Sequence, residues 1–373
     1  MSIIYNKKTI ATNSGTARQW GELGELRIQN DNIQANALRN MGVNVTANQA
    51  ALLPQDAYRE LDSITQRVFQ NDEGRGYMAD LMSISKTIDI GKTAYIYRQA
   101  SDKTGLVTRS LSGQVPETIS KTNYDYDGDP VPMFTTGYGR EWREQRAFQS
   151  EGFDAMFDDQ ENSMRDIVED MAVYMLWGDS TVNVRSYEGQ GIATHRSTQK
   201  IDLGTSGANV NLTQIGTPAS NDDIISFWTE DFAQELDDNY CADVDVVWVS
   251  PQIRRRLQEP YANSQGFFSG TLEKFILEFG RVKEFKTTYE LGREGNGTGA
   301  YNVNTLARAN QFFAYKREQT VICPLVGMGI SNIAIPRILP TDNVNNMIMS
   351  AMGLRVRADA NGRSKVFYAS NVT

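Results

Sequence analysis

Apolar positions along the chain switch between two periods, and the switches divide it. Pro54 opens a segment in which Ala57, Leu61, Ile64 and Val68 trace one helical face, until Asn71-Asp72-Glu73-Gly74 breaks it. From about Thr87 to Arg146 the period drops to two. Thr93–Gln99, Leu106–Leu111 and Val131–Tyr138 read as strands, separated by Gly105, Ser112-Gly113 and a turn-rich Asp125–Pro130. Few large apolar side chains lie here, so this stretch is expected to project and to lean on another surface.

The helical period then returns in its strongest form. Phe153, Met156, Phe157, Met164, Ile167, Val168, Met171, Met175 and Leu176 hold one stripe over about 25 residues, roughly 37 Å of helix. Gly178 stands where a glycine commonly closes a helix. After a polar connection over Gly204–Ser220, Asp222-Asp223 begins a helix with Ile224, Ile225, Trp228, Phe232 and Leu236 on its apolar side. Val244–Val249 reads as a buried strand and Pro251 as the start of a helix through Leu257. Further strands are expected at Val282–Tyr289, Gln311–Tyr315 and Ile333–Ile335. Leu354–Ala358 and Lys365–Tyr368 are expected to pair as a hairpin across Asn361-Gly362. The fold class is α+β with segregated elements.

The first fifty residues follow neither period. Asn32, Asn36, Asn40, Asn44 and Asn48 recur every fourth position, but Gly42, Val43 and Val45 are poor helix formers. An arm ordered only on a partner surface and a marginally stable helix are both compatible with this pattern.

Composition narrows the function. The chain has 373 residues, 40% of them apolar and 22% charged, enough for a real core and two or three packing units. Its net charge of −9 and sequence pI near 4.9 lack the basic footprint of a duplex-binding protein. Two cysteines, Cys241 and Cys323, make no disulfide scaffold, and the single histidine, His195, rules out mechanisms needing two imidazoles. No apolar run reaches the roughly 18 residues of a membrane span, and Met1–Trp20 has no signal-peptide core.

Candidate chemistry fails on spacing. Gly91-Lys92-Thr93 resembles the end of a phosphate-binding loop, but Lys86 occupies the first glycine's place and a strand follows instead of a helix. Asp125-Tyr126-Asp127-Gly128-Asp129 is rich in carboxylates, but Thr136 stands where a calcium loop needs its glutamate, so a tight turn is expected. Gly292–Gly299 lacks dinucleotide-loop spacing and reads as a loop tip. Cys241 or Cys323 with His195 would make a nucleophile and base, but no local signature supports either. No catalytic residue, cofactor site or metal site is predicted, and the chain is not expected to be an enzyme.

A polar arm, a projecting strand region, a long helix and an α/β unit, in this order, resemble the major capsid proteins of tailed bacteriophages, the Hong Kong 97-type fold. Three stretches carry the likeness: Leu176-Trp177-Gly178-Asp179 with Gly191-Ile192; Val246-Val247-Trp248-Val249-Ser250-Pro251; and Gly353-Leu354-Arg355-Val356-Arg357 with Val366-Phe367-Tyr368. The loop from Asp179 to Gly191 is longer than in many relatives. The resemblance implies an N-terminal arm and short helix at 1–75, an E-loop region at 76–148 and a P-domain with the spine helix at 149–215. An A-domain at 216–343 and a return to the P-domain at 344–373 complete the expected order.

The implied function is a coat protein assembling through pentamers and hexamers into an icosahedral phage head around double-stranded DNA, without sequence-specific binding. Implied partners are scaffolding, portal and decoration proteins; the implied location is the virion, after assembly in the host cytoplasm. An encapsulin-type nanocompartment shell and a soluble hydrolase are the alternatives. Charge adds a subunit-interface hypothesis. Residues 153–177 hold seven acids against Arg165, a sum of −6, whereas residues 95–122 sum to +2. Arg98, Lys103, Arg109 and Lys121 of one copy are therefore expected to face Asp158, Asp159, Glu161 and Asp166 of the next.

Overall fold

The computed structural model describes residues 73–101, 111, 121–150, 155–262, 269–292 and 305–371. The segments expected as an arm (1–50), as a helix after Pro54, as the strand Leu106–Leu111 apart from Leu111 itself, and as the loop tip after Gly292 lie outside the described residues.

Two sheets and one long helix organise the rest. A four-stranded sheet has the order Lys86–Thr87, Ile322–Ala334, Val344–Val356, Met133–Arg140. A five-stranded sheet has the order Phe285–Thr287, Val246–Val249, Gln311–Tyr315, Val366–Ser370, Gln199–Asp202. Its outer pairs are parallel and its inner pairs antiparallel. Together with the helices these form the mixed α+β architecture expected from the sequence.

The five-stranded sheet explains why its three central strands read as nearly unbroken apolar runs. Val246, Trp248, Phe313, Tyr315, Val366 and Tyr368 enter the core shared with the long helix. Their alternating neighbours Val247, Val249, Phe312, Ala314, Phe367 and Ala369 enter a second core. A strand buried on both faces has no polar side to alternate with. The second core is closed by the helical run Asn221–Asp238, which opens on a Ser220–Asp223 capping box and carries a π-turn at Phe227–Asp231. Trp228 is fully buried there, within about 5 Å of the Phe227, Phe232, Phe285 and Phe312 rings. Helix Pro251–Leu257 starts at the predicted proline, with the Ser250 hydroxyl accepting from the Ile253 amide.

The long helix spans Ala155–Trp177. Its inner ridge steps by four through Ala155, Asp159, Ser163, Ile167, Met171 and Met175, so the apolar anchors are concentrated in its second half. Phe157 and Met164, expected on the buried stripe, lie off this ridge and remain 59% and 37% exposed. Its end is tied down by the chain that returns to it. The Met175 and Leu176 carbonyls accept from the Ile192 and Ala193 amides, and the Trp177 carbonyl from the Thr194 hydroxyl. Gly178 adopts φ 70° and pairs with Gln190. A Cβ on Gly191 would lie 2.5 Å from the Gly178 nitrogen. The two glycines of the sequence motif therefore touch.

Three sequence expectations are corrected. Tyr124–Pro130 is a strand rather than a turn, paired antiparallel with Ala94–Ala100 in a two-stranded hairpin. Asp127 and Asp129 meet a cation, Arg196, from a distant segment. The closing hairpin does not form. Asn361-Gly362 does reverse the chain, with Gly362 at φ 80°, but the flanking strands join different sheets. Val344–Val356 pairs with Ile322–Ala334 and Met133–Arg140; Val366–Ser370 pairs with Gln311–Tyr315 and Gln199–Asp202. Each thereby gains two partner strands and burial of most of its residues, which a lone hairpin cannot offer. Ile333 and Ala334 belong to the thirteen-residue strand Ile322–Ala334.

Candidate functional site

The hairpin Ala94–Ala100 with Tyr124–Pro130 presents two chemically distinct faces. Its register places Ile96 opposite Gly128, Arg98 opposite Tyr126 and Ala100 opposite Tyr124. This face is open, with Tyr124 64% and Tyr126 61% exposed, and the Arg98 guanidinium lies 6.0 Å from the Tyr124 ring centre. The other face carries Tyr95, Tyr97, Asp127 and Asp129 and turns toward the body of the chain. Tyr97 is buried, and its hydroxyl donates to Asp127 Oδ2 at 3.2 Å or to the Val356 carbonyl at 3.3 Å. Burial, with the negative charge of Asp129 and Asp127 beside it, pushes the Tyr97 phenol well above its ordinary pKa. The Arg357 and Arg355 guanidiniums cover the Tyr97 and Tyr95 rings at 5.0 and 5.4 Å.

His195 lies at the hairpin's root and is fully buried. Its Nδ1 accepts from the Ser197 amide at 3.0 Å, so Nε2 is the protonated nitrogen and donates to Asp129 Oδ1 at 3.2 Å. Both nitrogens are occupied in holding structure, so neither is free to activate Cys241 or Cys323. Cys241 and Cys323 are buried thiols whose pKa burial raises. Asp127 and Asp129, read in the sequence as part of a turn, are held by Arg196.

The predicted interface residues divide as follows. Arg98 is exposed on the hairpin and Lys121 is exposed three residues before its second strand; Lys103 and Arg109 lie outside the described residues. Asp159 is gripped from within the chain by Arg140, whose Nε and Nη2 reach its oxygens at 2.5 and 3.0 Å. Arg140 also binds Glu144 at 2.8 Å. Glu161 pairs with Arg165 one turn on at 3.2 Å. Asp158 is half-buried and Asp166 exposed. The acidic half of the helix thus shows solvent a mixed face in which Phe157 and Met164 lie among carboxylates. A third uncovered surface is the turn Ile335–Pro340 beyond the long strands, where Ile338 is 91% exposed.

Sequence reasoning missed the ion pairs that join distant segments. Arg75 is buried against Glu290, at 3.0 Å, and Glu169 of the long helix, at 2.8 Å. Asp80 receives Arg317 and the Tyr315 hydroxyl. Their separations exceed 90 residues, beyond the reach of any local pattern.

The profile of a family of unknown function, DUF6260, matches residues 47–369, most of the chain. The chain belongs to the DUF6260 family. No curated protein matches this DUF6260 chain in sequence. Among solved structures it is similar to the capsid of Myoviridae phage XM1, at 12% identity and a TM-score of 0.58, over 87% of this chain and 100% of that one. A Microbacterium phage Oxtober96 chain is similar at 12% identity and 0.52, over 84% and 95%. The capsid of a native GTA particle is similar at 10% identity and 0.52, over 84% and 95%. The DUF6260 chain has the Hong Kong 97-type capsid fold, as its element order implied. No described helix is long and apolar enough to cross a membrane.

Proposed function

We propose that this protein is a capsid shell protein, many copies of which close into an icosahedral phage head around double-stranded DNA. The observation that carries the reading is the uncovered hairpin face of Ile96, Arg98, Tyr124 and Tyr126, in a fold shared with capsid chains. An exposed aromatic strand face with almost no core beneath it is stable where another surface covers it. In this reading the hairpin is the E-loop, and it lies across the long helix of an adjacent copy. Its tyrosines meet Phe157 and Met164, while Arg98, Lys103, Arg109 and Lys121 meet Asp158, Asp166 and the outer edges of Asp159 and Glu161.

The long helix then lies in a P-domain at 149–215, followed by an A-domain at 216–343 and a return to the P-domain at 344–373. Assembly runs through pentamers and hexamers in the host cytoplasm, with scaffolding, portal and decoration proteins as partners. The shell encloses DNA without reading its sequence, and its function is geometric rather than catalytic.

Negative-stain electron microscopy of the purified full chain, with sizing by light scattering, tests this. Closed shells, or pentamers and hexamers that close when a scaffold is added, are expected. A monodisperse monomer or dimer unchanged by scaffold would overturn the reading. Shells that package an enzyme instead of nuclease-protected DNA would indicate a nanocompartment.

A further inference from the structure

We propose that Arg196 is a clasp that sets the angle at which the hairpin leaves the body of the protein. Its guanidinium forks onto the hairpin strand Tyr124–Pro130. Nε reaches Asp127 Oδ2 at 3.0 Å; Nη2 reaches Asp127 Oδ1 at 2.5 Å, the Gly128 carbonyl at 2.9 Å and Asp129 Oδ1 at 3.0 Å. A planar fork on a carboxylate fixes direction as well as distance, unlike apolar contact. Burial works against the Arg196 charge but is outweighed by Asp129 and Asp127, so its pKa lies above the ordinary arginine value.

Two features make the clasp decisive. Asp129 is 2% exposed, and among the described residues both of its donors, Arg196 and His195, converge on Oδ1 while Oδ2 accepts no hydrogen bond. Arg196 is the arginine paired with this buried carboxylate, and His195 adds a hydrogen bond from Nε2. The other contacts of the hairpin also lie on its inner face and near its root. Tyr97 is its one buried large side chain on the strand Ala94–Ala100, and Gly128 lies under the Tyr187 ring. Beyond these points both strands run into solvent.

The other end of the clasp is rigid. The Arg196 amide donates to Gln190 Oε1 at 3.0 Å. The segment before it is bonded to the last turn of the long helix through Ile192, Ala193 and Thr194. Arg196 thereby refers the hairpin's angle to the C-terminus of the long helix, while Tyr95 and Tyr97 rest on Arg355, Val356 and Arg357 of the four-stranded sheet. This inference concerns the single chain and stands apart from the shell reading; within a shell, the same clasp would decide where the hairpin lands on its neighbour.

Hydrogen exchange on the full-length protein tests it with Arg196→Lys, Arg196→Ala and Asp127→Asn, and with Arg254→Ala as a control at the separate Arg254–Glu273 pair. Lysine keeps the charge but cannot fork. Amides from Ala94 to Ala100 and from Tyr124 to Asp129 are expected to exchange about tenfold faster or more in the Arg196 and Asp127 variants. Those of Val246–Val249 and Gln311–Tyr315 should hold their rates, and the control should leave the hairpin unchanged. Unaltered hairpin exchange in Arg196→Lys and Asp127→Asn would overturn the clasp. A rise equally large in the five-stranded sheet would overturn it too, because Arg196 would then be a general stabilising residue. Should Arg196→Ala fail to fold, the lysine and Asp127→Asn variants decide alone.

Discussion

The contact between Gly178 and Gly191 can be dissected by alanine substitution, because the chain offers glycines in which the two costs of a Cβ separate. At Gly178 both costs apply. Its φ of 70° is left-handed, and a Cβ would lie 2.5–2.7 Å from the Gly191 nitrogen, the Gly189 carbonyl and the Gln190 Cα. At Gly191 only overlap applies, with Gly178, Leu176 and Trp177 backbone atoms all at 2.5 Å. Gly216, at φ 75° with open space around it, isolates the conformational cost; Gly329, open and outside the left-handed region, carries neither.

A left-handed alanine costs about 1–2 kcal/mol. Overlap with main chain, which cannot swing aside as a side chain does, belongs at the upper end of the roughly 1–3 kcal/mol of overpacking. Gly329→Ala should therefore be neutral or stabilising by up to about 1 kcal/mol. Gly216→Ala should lose about 1–2, Gly191→Ala about 2–3 and Gly178→Ala about 3–5 kcal/mol. Over the unit Asn71–Thr373 the unfolding entropy is about 0.6 kcal/mol/K, so the last loss lowers Tm by about 5–8 °C. Differential scanning calorimetry of the four variants reads this order directly. If Gly178→Ala costs no more than Gly216→Ala, the close approach of the two glycines is not what the motif encodes, and the reasoning fails.

Arg75→Ala strips the buried Glu290 of its closest cation and should cost about 3–5 kcal/mol by the same calorimetry; replacing both residues by methionine should cost much less. The Asp243 carboxyl is held below the usual range by its hydrogen bond with Lys283. Its folded pKa is depressed, so its stabilisation is complete above the unfolded value and fades as pH falls through the folded one. Asp243→Asn should therefore narrow the Tm gap between about pH 5 and pH 3, and an unchanged gap would refute the linkage. Arg98→Glu with Arg109→Glu should impair shell formation more at low salt than at high, as counted by electron microscopy; intact shells at low salt would remove charge pairing from the proposed interface.

Local pattern was enough wherever one segment settles its own burial. The helix from Pro251 to Leu257 and the strand Gln311–Tyr315 occur where proline placement and an unbroken apolar run put them. The long helix ends at the predicted glycine. Tyr124–Pro130 shows how local reading fails. Its aspartates and glycine suggested a turn, yet Tyr-Asp-Tyr-Asp-Gly-Asp also alternates strictly. The tyrosines fall on the open face of the hairpin and the aspartates on the face gripped by Arg196 and His195. Alternation was the legible signal, and turn propensity obscured it.

What the sequence determined by itself was the order of elements, the long acidic helix and the fold class, because periodicity and end signals are properties of neighbours within a few residues. Only the tertiary structure decided which strands pair and which charges meet. Asn361-Gly362 turns the chain, but the strands ending at Val356 and starting at Val366 go to separate sheets, where each lies between two partner strands. Arg196 finds Asp127 across 69 residues, and Arg75 finds Glu290 across 215. Such pairings are fixed by where packing brings segments together, and charge sets their energy only once they are adjacent.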